Sequence, residues 1–325
     1  MRELRLGTRG SQLALWQAHE VAARIAAAGG PSCRIVIIRT SGDRLQEARL
    51  AAAGGKRLFV KEIEDALLGA EIDLAVHSSK DMPAILPGGL AIAAVLPRED
   101  PLDAVVLPAG GGAVLATLGD LVAHVGQTPT IGTGSVRRMA QLRRLCPGAA
   151  FEPIRGNLDT RLRKLDAGGF DALVLAAAGL RRLGAAARIS LALPVDACVP
   201  APGQGIVAVE VRESDDAVRA VVASIDDRAT HAALAAERAV VAALGGGCQT
   251  PIGALATPAG GTGLRLVATV VAVDGSRAIR EEAIGAIGQA DALGRQVGTA
   301  LFGAGAGEIL ADAARQHPPA PSHPD

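Results

Sequence analysis

Apolar residues arrive in two rhythms along this chain. Short runs of Val, Ile, Leu and Ala, of strand length, alternate with longer stretches in which apolar side chains return every three or four positions. The opening part reads as a strand at 4–6, a helix from Ser11, a strand at 34–39, a helix near 59–68 and a strand at 72–76. Such a succession is the grammar of βαβ units around a largely parallel sheet. It resumes with strands at 104–107 and 130–131, a helix opening at Ser135, a strand at 151–154, a helix from Leu158 and a strand at 172–175, which predicts a second α/β unit. A further apolar run at 206–211 follows Pro200, Pro202 and Gly203 and is placed to return to the first sheet. Beyond it, helical stretches and a strand pair at 264–273 and 277–286 predict a smaller α+β unit. The expected organisation is 1–97 with 204–223, then 98–203, then 224–316. The last stretch, 317–325, is too rich in proline and polar residues to bury much surface, and a disordered tail is expected there.

Composition narrows the function classes. A chain of 325 residues has ample apolar material for more than one core. With one Trp, four Phe and no Tyr, those cores are packed from small aliphatic side chains, and aromatic platforms for stacking bases are not available. Nucleic acid is therefore not expected as a partner. Lys and Arg together number 33, as do Asp and Glu, so a strongly basic site must be a local concentration. The four cysteines, at 33, 146, 198 and 248, are far apart and have no histidines at ligand spacing, so neither a disulfide framework nor a metal site is expected. The first residues lack the apolar core and cleavage site of a signal peptide, and no apolar run reaches membrane-spanning length. A cytoplasmic protein without a membrane partner is the expectation.

Local charge falls where ligands gather in open α/β sheets, at strand C-termini and helix N-termini. Arg9 follows the first strand, just before a helix that Ser11 can cap; Arg137 and Arg138 open the helix after Gly134 and Ser135; Arg155 follows the strand ending near Ile154. Arg161 lies one turn into its helix, and Arg182 follows a strand and a helix. Each of these arginines alone is an ordinary surface residue, but their repetition at equivalent positions points to a polycarboxylate or polyphosphate ligand. The stretch AVHSSKDMP places Ser78, Lys80 and Asp81 just past an apolar strand. There a carboxylate can stabilise a developing cation or move a proton, or it can simply cap a helix. His77, on the strand itself, reads as a core histidine. The stretch GGGCQTPIG surrounds Cys248 with glycines and a stiffening Pro251, as if to present its thiol, although a free cysteine is also commonly a small buried hydrophobe.

Taken together, TRGSQLALWQ, GGKRLFVKEIE, AVHSSKDMP, GTGSVRRMAQLRR, RGNLDTRLRKLD, LAAAGLRRLG, PAPGQG and GGGCQTPIG follow one another in an order and spacing that resembles the porphobilinogen deaminase (hydroxymethylbilane synthase) family. The resemblance runs from about Leu4 to Ala314. It implies two domains like type II periplasmic binding proteins and a smaller α+β domain. It also implies a dipyrromethane held by a thioether to the cysteine matching Cys248, onto which four porphobilinogens are condensed with loss of ammonia before 1-hydroxymethylbilane is released. By matching motif, Asp81 is the catalytic carboxylate. Lys80, Ser78, Thr133, Ser135, Arg137, Arg138, Arg155 and Gly156 correspond to residues that hold the cofactor. Arg9, Ser11, Gln17, Lys56, Phe59, Arg155, Arg161 and Arg182 correspond to those that hold the substrate. The segment 43–55 resembles the family's mobile active-site loop, and a monomer without metal is implied. Three positions depart from the family pattern: Ala52 where many members carry lysine, Gly134 where serine is frequent, and Gly245 where glutamate is common. Two rivals can be set against this reading. An anion-binding module would need neither Cys248 nor Asp81. A cysteine hydrolase would need an activating histidine, and the nearest in sequence, His231, sits in an Ala-rich helical stretch.

Overall fold

The computed structural model describes residues 2–40, 60–110, 115–246 and 250–316. The sequence-predicted loop at 43–55 with Ala52, Lys56, Phe59, Cys248 and the tail at 317–325 lie outside the described residues. Chain order begins β1 (Leu4–Thr8), α1 (Gln12–Ala27), β2 (Cys33–Ile37), α2 (Lys61–Leu68), β3 (Leu74–Ser78) and β4 (Leu90–Val95). It continues with β5 (Asp103–Val106), α3 (Leu118–Val125), β6 (Thr130–Gly132), α4 (Val136–Arg143), β7 (Ala150–Glu152), α5 (Leu158–Lys164), β8 (Ala172–Ala176), α6 (Ala177–Arg182) and β9 (Leu191–Ala192). Last come β10 (Val207–Arg212), α7 (Asp216–Ala223), α8 (Arg228–Ala243), β11 (Ile252–Pro258), β12 (Gly263–Val271), β13 (Ala278–Ala286), α9 (Ala290–Leu301) and α10 (Gly307–Gln316).

Two five-stranded sheets share one plan. The first runs β2-β1-β3-β10-β4 and the second β7-β6-β8-β5-β9. In each, three neighbouring strands are parallel, and the fourth, β10 or β5, is antiparallel and enters from the opposite half of the chain. The chain therefore crosses between the sheets twice, after β4 and after β9. The run at 206–211 does return to the first sheet, as β10. Helices cover both faces, which is why β3 and β8 read as nearly continuous apolar runs. Ala18, Val21 and Ile25 of α1 pack with Val218 and Val222 of α7 on one face of the first sheet. Ile63, Ala66 and Leu67 of α2 cover the other. The second sheet is enclosed by Leu121 of α3 and Leu142 of α4 on one side and by Leu180 of α6 on the other. The third sheet, β11-β12-β13, is antiparallel and packs on α8 and α9. The expected pair of α/β units and smaller α+β unit is thus the observed architecture. Among the described residues no helix is long and apolar enough to cross a membrane.

A carboxylate on α8 joins the two crossings to the third sheet. Glu237, fully buried, meets Arg98 of the first crossing at 2.5 Å. The same carboxylate accepts the backbone N–H of Gly203 in the second crossing at 2.6 Å and that of Ala256 on β11 at 2.7 Å. Arg98 in turn donates to the carbonyl of Gln204 at 2.8 Å. Gly203 and Gly205 are both left-handed, with φ of 74° and 86°. A Cβ on Gly205 would lie 2.3 Å from the carbonyl oxygen of Glu99, so the two crossings pack backbone to backbone. Glu237→Ala leaves a guanidinium and two amides without their partner and is expected to lower the unfolding free energy by about 3–5 kcal/mol. Urea denaturation measures it, and a loss below about 1 kcal/mol would place the junction's stability elsewhere.

Candidate active site

Between the two larger sheets lies a cleft of about 480 Å³, with the C-terminal ends of their parallel strands contributing its walls. That placement follows from the topology, since free helix N-termini and loop amides collect at those ends. Thr8 ends β1, and Arg9 and Ser11 follow it into the cleft wall. The Ser11 hydroxyl accepts the N–H of Ala14 at 3.3 Å and so caps α1. Gln17, buried further along α1, hydrogen-bonds through Nε2 to the Ser78 hydroxyl at 2.9 Å, joining α1 to the end of β3.

Past β3, Ser79 to Asp81 form a single 3₁₀ turn and Met82 is extended, so no α-helix follows for Asp81 to cap. Asp81 is exposed on the cleft wall. The Lys80 ammonium donates to Gln204 Oε1 at 3.4 Å. Loss of surrounding water, and secondly the nearby Arg138 guanidinium, push the Lys80 pKa down to about 8, against the opposing pull of Asp81 and Asp103.

At the end of β6 the Ser135 hydroxyl caps α4 through the N–H of Arg138 at 3.4 Å, and Thr133 Oγ1 accepts the N–H of Ser135 at 3.3 Å. Arg137 and Arg138 then turn back onto the buried Asp103 of β5. Arg137 donates to Asp103 at 2.7 and 3.1 Å and to the carbonyl of Val199 at 2.6 Å. Arg138 donates to Asp103 at 2.8 Å, to the carbonyl of Val174 at 3.1 Å and to Gln204 Oε1 at 3.3 Å. Gln204 closes the network by donating Nε2 to Asp103 at 2.8 Å. Burial alone would raise the Asp103 pKa, but the two guanidiniums outweigh it and hold the carboxyl far below the usual range. The Cys198 thiol donates to the same carboxylate at 3.2 Å, and burial followed by the Asp103 charge pushes its pKa up to about 12. It is a neutral core thiol.

Two further arginines come from the second sheet's other strand ends. Arg161 Nε donates to the carbonyl of Gly156 at 2.8 Å, and its pKa is lowered first by burial and then by Arg138. Arg182 donates to the carbonyl of Gly205 at 2.7 Å and lies over the Trp16 ring. The cleft gathers every described candidate from the sequence except two. Thr133 is buried behind Ser135, and the Arg155 side chain is exposed outside the cleft lining, with its carbonyl taking the Lys164 ammonium at 3.1 Å. His77 is buried within the first sheet, 3.1 Å from Glu210.

Residues that sequence reasoning missed are Asp103, Gln204 and Arg238. Gln204 lay inside the PAPGQG motif, whereas an acid on an apolar strand and an arginine on the Ala-rich α8 carried no signal of their own. Arg238 lines the cleft and donates to the carbonyl of Ala84 at 2.8 Å. Thr250 and Val241, on either side of Cys248 in sequence, also line the cleft.

Comparison with known proteins bears on this site. The family model described as porphobilinogen deaminase, dipyromethane cofactor binding domain, matches residues 4–220, and the one described as porphobilinogen deaminase, C-terminal domain, matches residues 232–303. The porphobilinogen deaminase of Syntrophobacter fumaroxidans is 45% identical over 310 residues, covering 95% of this chain and 97% of the relative. That of Moorella thermoacetica is 46% identical over 317 residues, covering 97% of this chain and 98% of the relative. Among solved structures, the periplasmic VFT2 domain of Bordetella pertussis BvgS is similar at a TM-score of 0.40 and 15% identity, over 69% of this chain and 86% of that one.

Because Asp103 has a folded pKa below its unfolded value, it stabilises the fold above about pH 4, and that contribution fades as pH falls toward the folded pKa. Asp103→Asn leaves two buried guanidiniums facing each other and is expected to lower stability by about 3–5 kcal/mol at neutral pH. It should also flatten the acid limb of a stability profile measured by urea unfolding; an unchanged acid limb would count against the sign argued here.

Proposed function

The chain belongs to the porphobilinogen deaminase family, and from that membership we propose how its own residues carry out the reaction. It condenses four porphobilinogens head to tail, each losing ammonia, and releases 1-hydroxymethylbilane by hydrolysis. The observation that carries the reading of the site is the cleft itself: guanidiniums, an ammonium and hydroxyls from both sheets line it together with two exposed carboxylates, Asp81 at the end of β3 and Asp159 on α5. Every pyrrole brings an acetate and a propionate, which is the ligand chemistry such a donor set suits.

The donor set also fits a dipyrromethane. When bound, that group supplies the pyrrole α-carbon from which the chain is extended. We assign Cys248 as its thioether attachment; Thr250 and Val241 in the cleft lining support this. Lys80, Ser78, Ser135, Gly156 and the Arg138 side of the Asp103 network would hold its carboxylates. Arg137, whose terminal nitrogens are engaged by Asp103 and Val199, would act through its field, Thr133 by fixing Ser135, and Arg155 from the rim. Arg9, Ser11, Gln17, Arg161 and Arg182 would receive the incoming porphobilinogen, with Lys56 and Phe59 from the neighbouring segment. Boundaries at 1–97 with 204–223, 98–203 and 224–316, and a cytoplasmic monomer, complete the reading.

Asp81 has the central chemical role in this proposal. As the C–N bond of the aminomethyl group breaks, ammonia leaves and positive charge develops on the pyrrole nitrogen, where a preorganised carboxylate is most effective. When the new C–C bond has formed, the α-proton must go to a base, and Asp81 is placed to take it. Lys80 beside it keeps the wall electrically balanced and, as an ammonium, binds a carboxylate.

Intact mass of the purified protein tests the attachment. An adduct of two porphobilinogens less two ammonias is expected on the wild type and on Asp81→Asn, and none on Cys248→Ser; Asp81→Asn should lose about 10²–10⁴ in turnover. An adduct that survives in Cys248→Ser would refute the assignment. A second measurement follows from Lys80, whose ammonium is present below about pH 8 and lost above it. The apparent affinity for porphobilinogen is expected to fall as pH rises through 8, and Lys80→Arg should remove that fall; a profile insensitive to the substitution would place the titrating group elsewhere.

A further inference from the structure

Arg182 is held in an unusual way for a surface arginine of a binding cleft. Its guanidinium carbon lies 5.5 Å from the centroid of the Trp16 ring. Nη2 donates to the carbonyl of Gly205 at 2.7 Å. Trp16 stands on α1, which packs on the first sheet, while Arg182 ends α6, which packs on the second, and Gly205 belongs to the crossing between them. One flat cation is therefore fixed on one face by the first unit and on one edge by the crossing. The two helices approach closely here, with a Cβ position on Gly179 only 3.7 Å from Leu13 Cδ2. Among the described residues no carboxylate lies within ion-pair distance of Arg182, and Nε and Nη1 carry no hydrogen bond. The charge is oriented without a direct ion pair, and Glu99 and Glu20 act on it only from a distance.

Orientation of this kind removes the rotamer entropy that a free arginine would lose on binding. An aromatic face and a carbonyl accomplish it without adding the negative charge that would compete with an anionic ligand. We propose that Trp16 is a positioning residue, holding the Arg182 guanidinium in place before the incoming pyrrole arrives so that its unbonded N–H edge meets one of that pyrrole's carboxylates. The inference rests on the reading of Arg182 as a substrate-binding arginine and assigns Trp16 a part that acts only through it.

The chain carries one Trp and no Tyr, so near-ultraviolet emission excited at the red edge reports on Trp16 alone. Emission of the wild type and of Arg182→Gln, without substrate, is expected to differ, and porphobilinogen should shift the first and not the second. In steady-state assays Trp16→Leu is expected to raise KM about tenfold with kcat within about twofold, and Trp16→Phe to restore most of the affinity. In the Arg182→Gln background Trp16→Leu should add nothing further to KM. Effects that multiply in the double variant, a KM unchanged in Trp16→Leu, or identical emission from wild type and Arg182→Gln would each overturn the proposal. The emission comparison needs no Trp16 variant, so it decides even where Trp16→Leu fails to fold. A wild type that consumes no porphobilinogen would instead overturn the deaminase reading of the cleft, and the substrate-free emission comparison would still decide whether the guanidinium rests on the indole.

Discussion

Asp103 is an ionised carboxylate with no access to water, and much of the cleft follows from satisfying it. A buried charge is tolerated only when counter-charge and hydrogen bonds replace its lost hydration. Asp103 obtains them from Arg137, Arg138, Gln204 and Cys198, which come from α4 and from the second crossing. The acid therefore fixes the start of α4 against β5 and draws the crossing onto both. Two guanidiniums around one carboxylate leave one positive charge in excess, and that excess is felt by whatever stands in front of it. Lys80 stands there, sharing Gln204 Oε1 with Arg138, and its pKa is lowered first by its own burial and then by that excess charge.

Glu237 repeats the device one layer away. It too is buried and is satisfied by a guanidinium and two backbone amides. The two acids are linked through Gln204, whose side chain serves Asp103 while its carbonyl accepts from Arg98, the partner of Glu237. The crossings between the sheets are thereby bound by polar contacts of defined direction, beside buried apolar clusters that include Val199 and Ile206. The directional polar contacts fix the register of the two crossings against each other and against β11.

The parallel strands and most helices were legible because apolar runs and caps carry their own signals; Ser11 and Ser135 begin α1 and α4 as their sequence positions predict. β4, β9, β11, α3, α9 and α10 were not read. β9 is two residues long, and its pairing with β5 depends on a register that no local pattern encodes. β4 and β11 are Ala-rich runs whose strand character comes from β10 and β12 beside them, a case of tertiary context overriding propensity. β3 was expected two residues too early because Ile72 is apolar yet precedes the ladder. At the site, strand-end arginines were visible by position, but position does not tell which guanidinium is already occupied. Arg137 and Arg138 had the same signature as Arg161 and Arg182, and only the acid on β5 separates them.

That separation has a physical consequence for a ligand that lengthens. A guanidinium paired with a buried carboxylate has most of its donors engaged, and it acts on anions largely through its distance-dependent field. A guanidinium held by neutral groups, as Arg182 is by an indole and a carbonyl, keeps both its charge and free N–H groups. A cleft built only of the second kind would bind the first carboxylates so tightly that a growing chain could not shift its contacts. One built only of the first kind would attract anions without orienting them. The arrangement seen here mixes the two, with the spent pair on the floor beside Lys80 and the unspent one at the wall shared by α1 and α6. On the proposed reading, incoming carboxylates are oriented at the wall while the accumulated charge of the chain is balanced by the floor, and neither task requires the other's residues to let go.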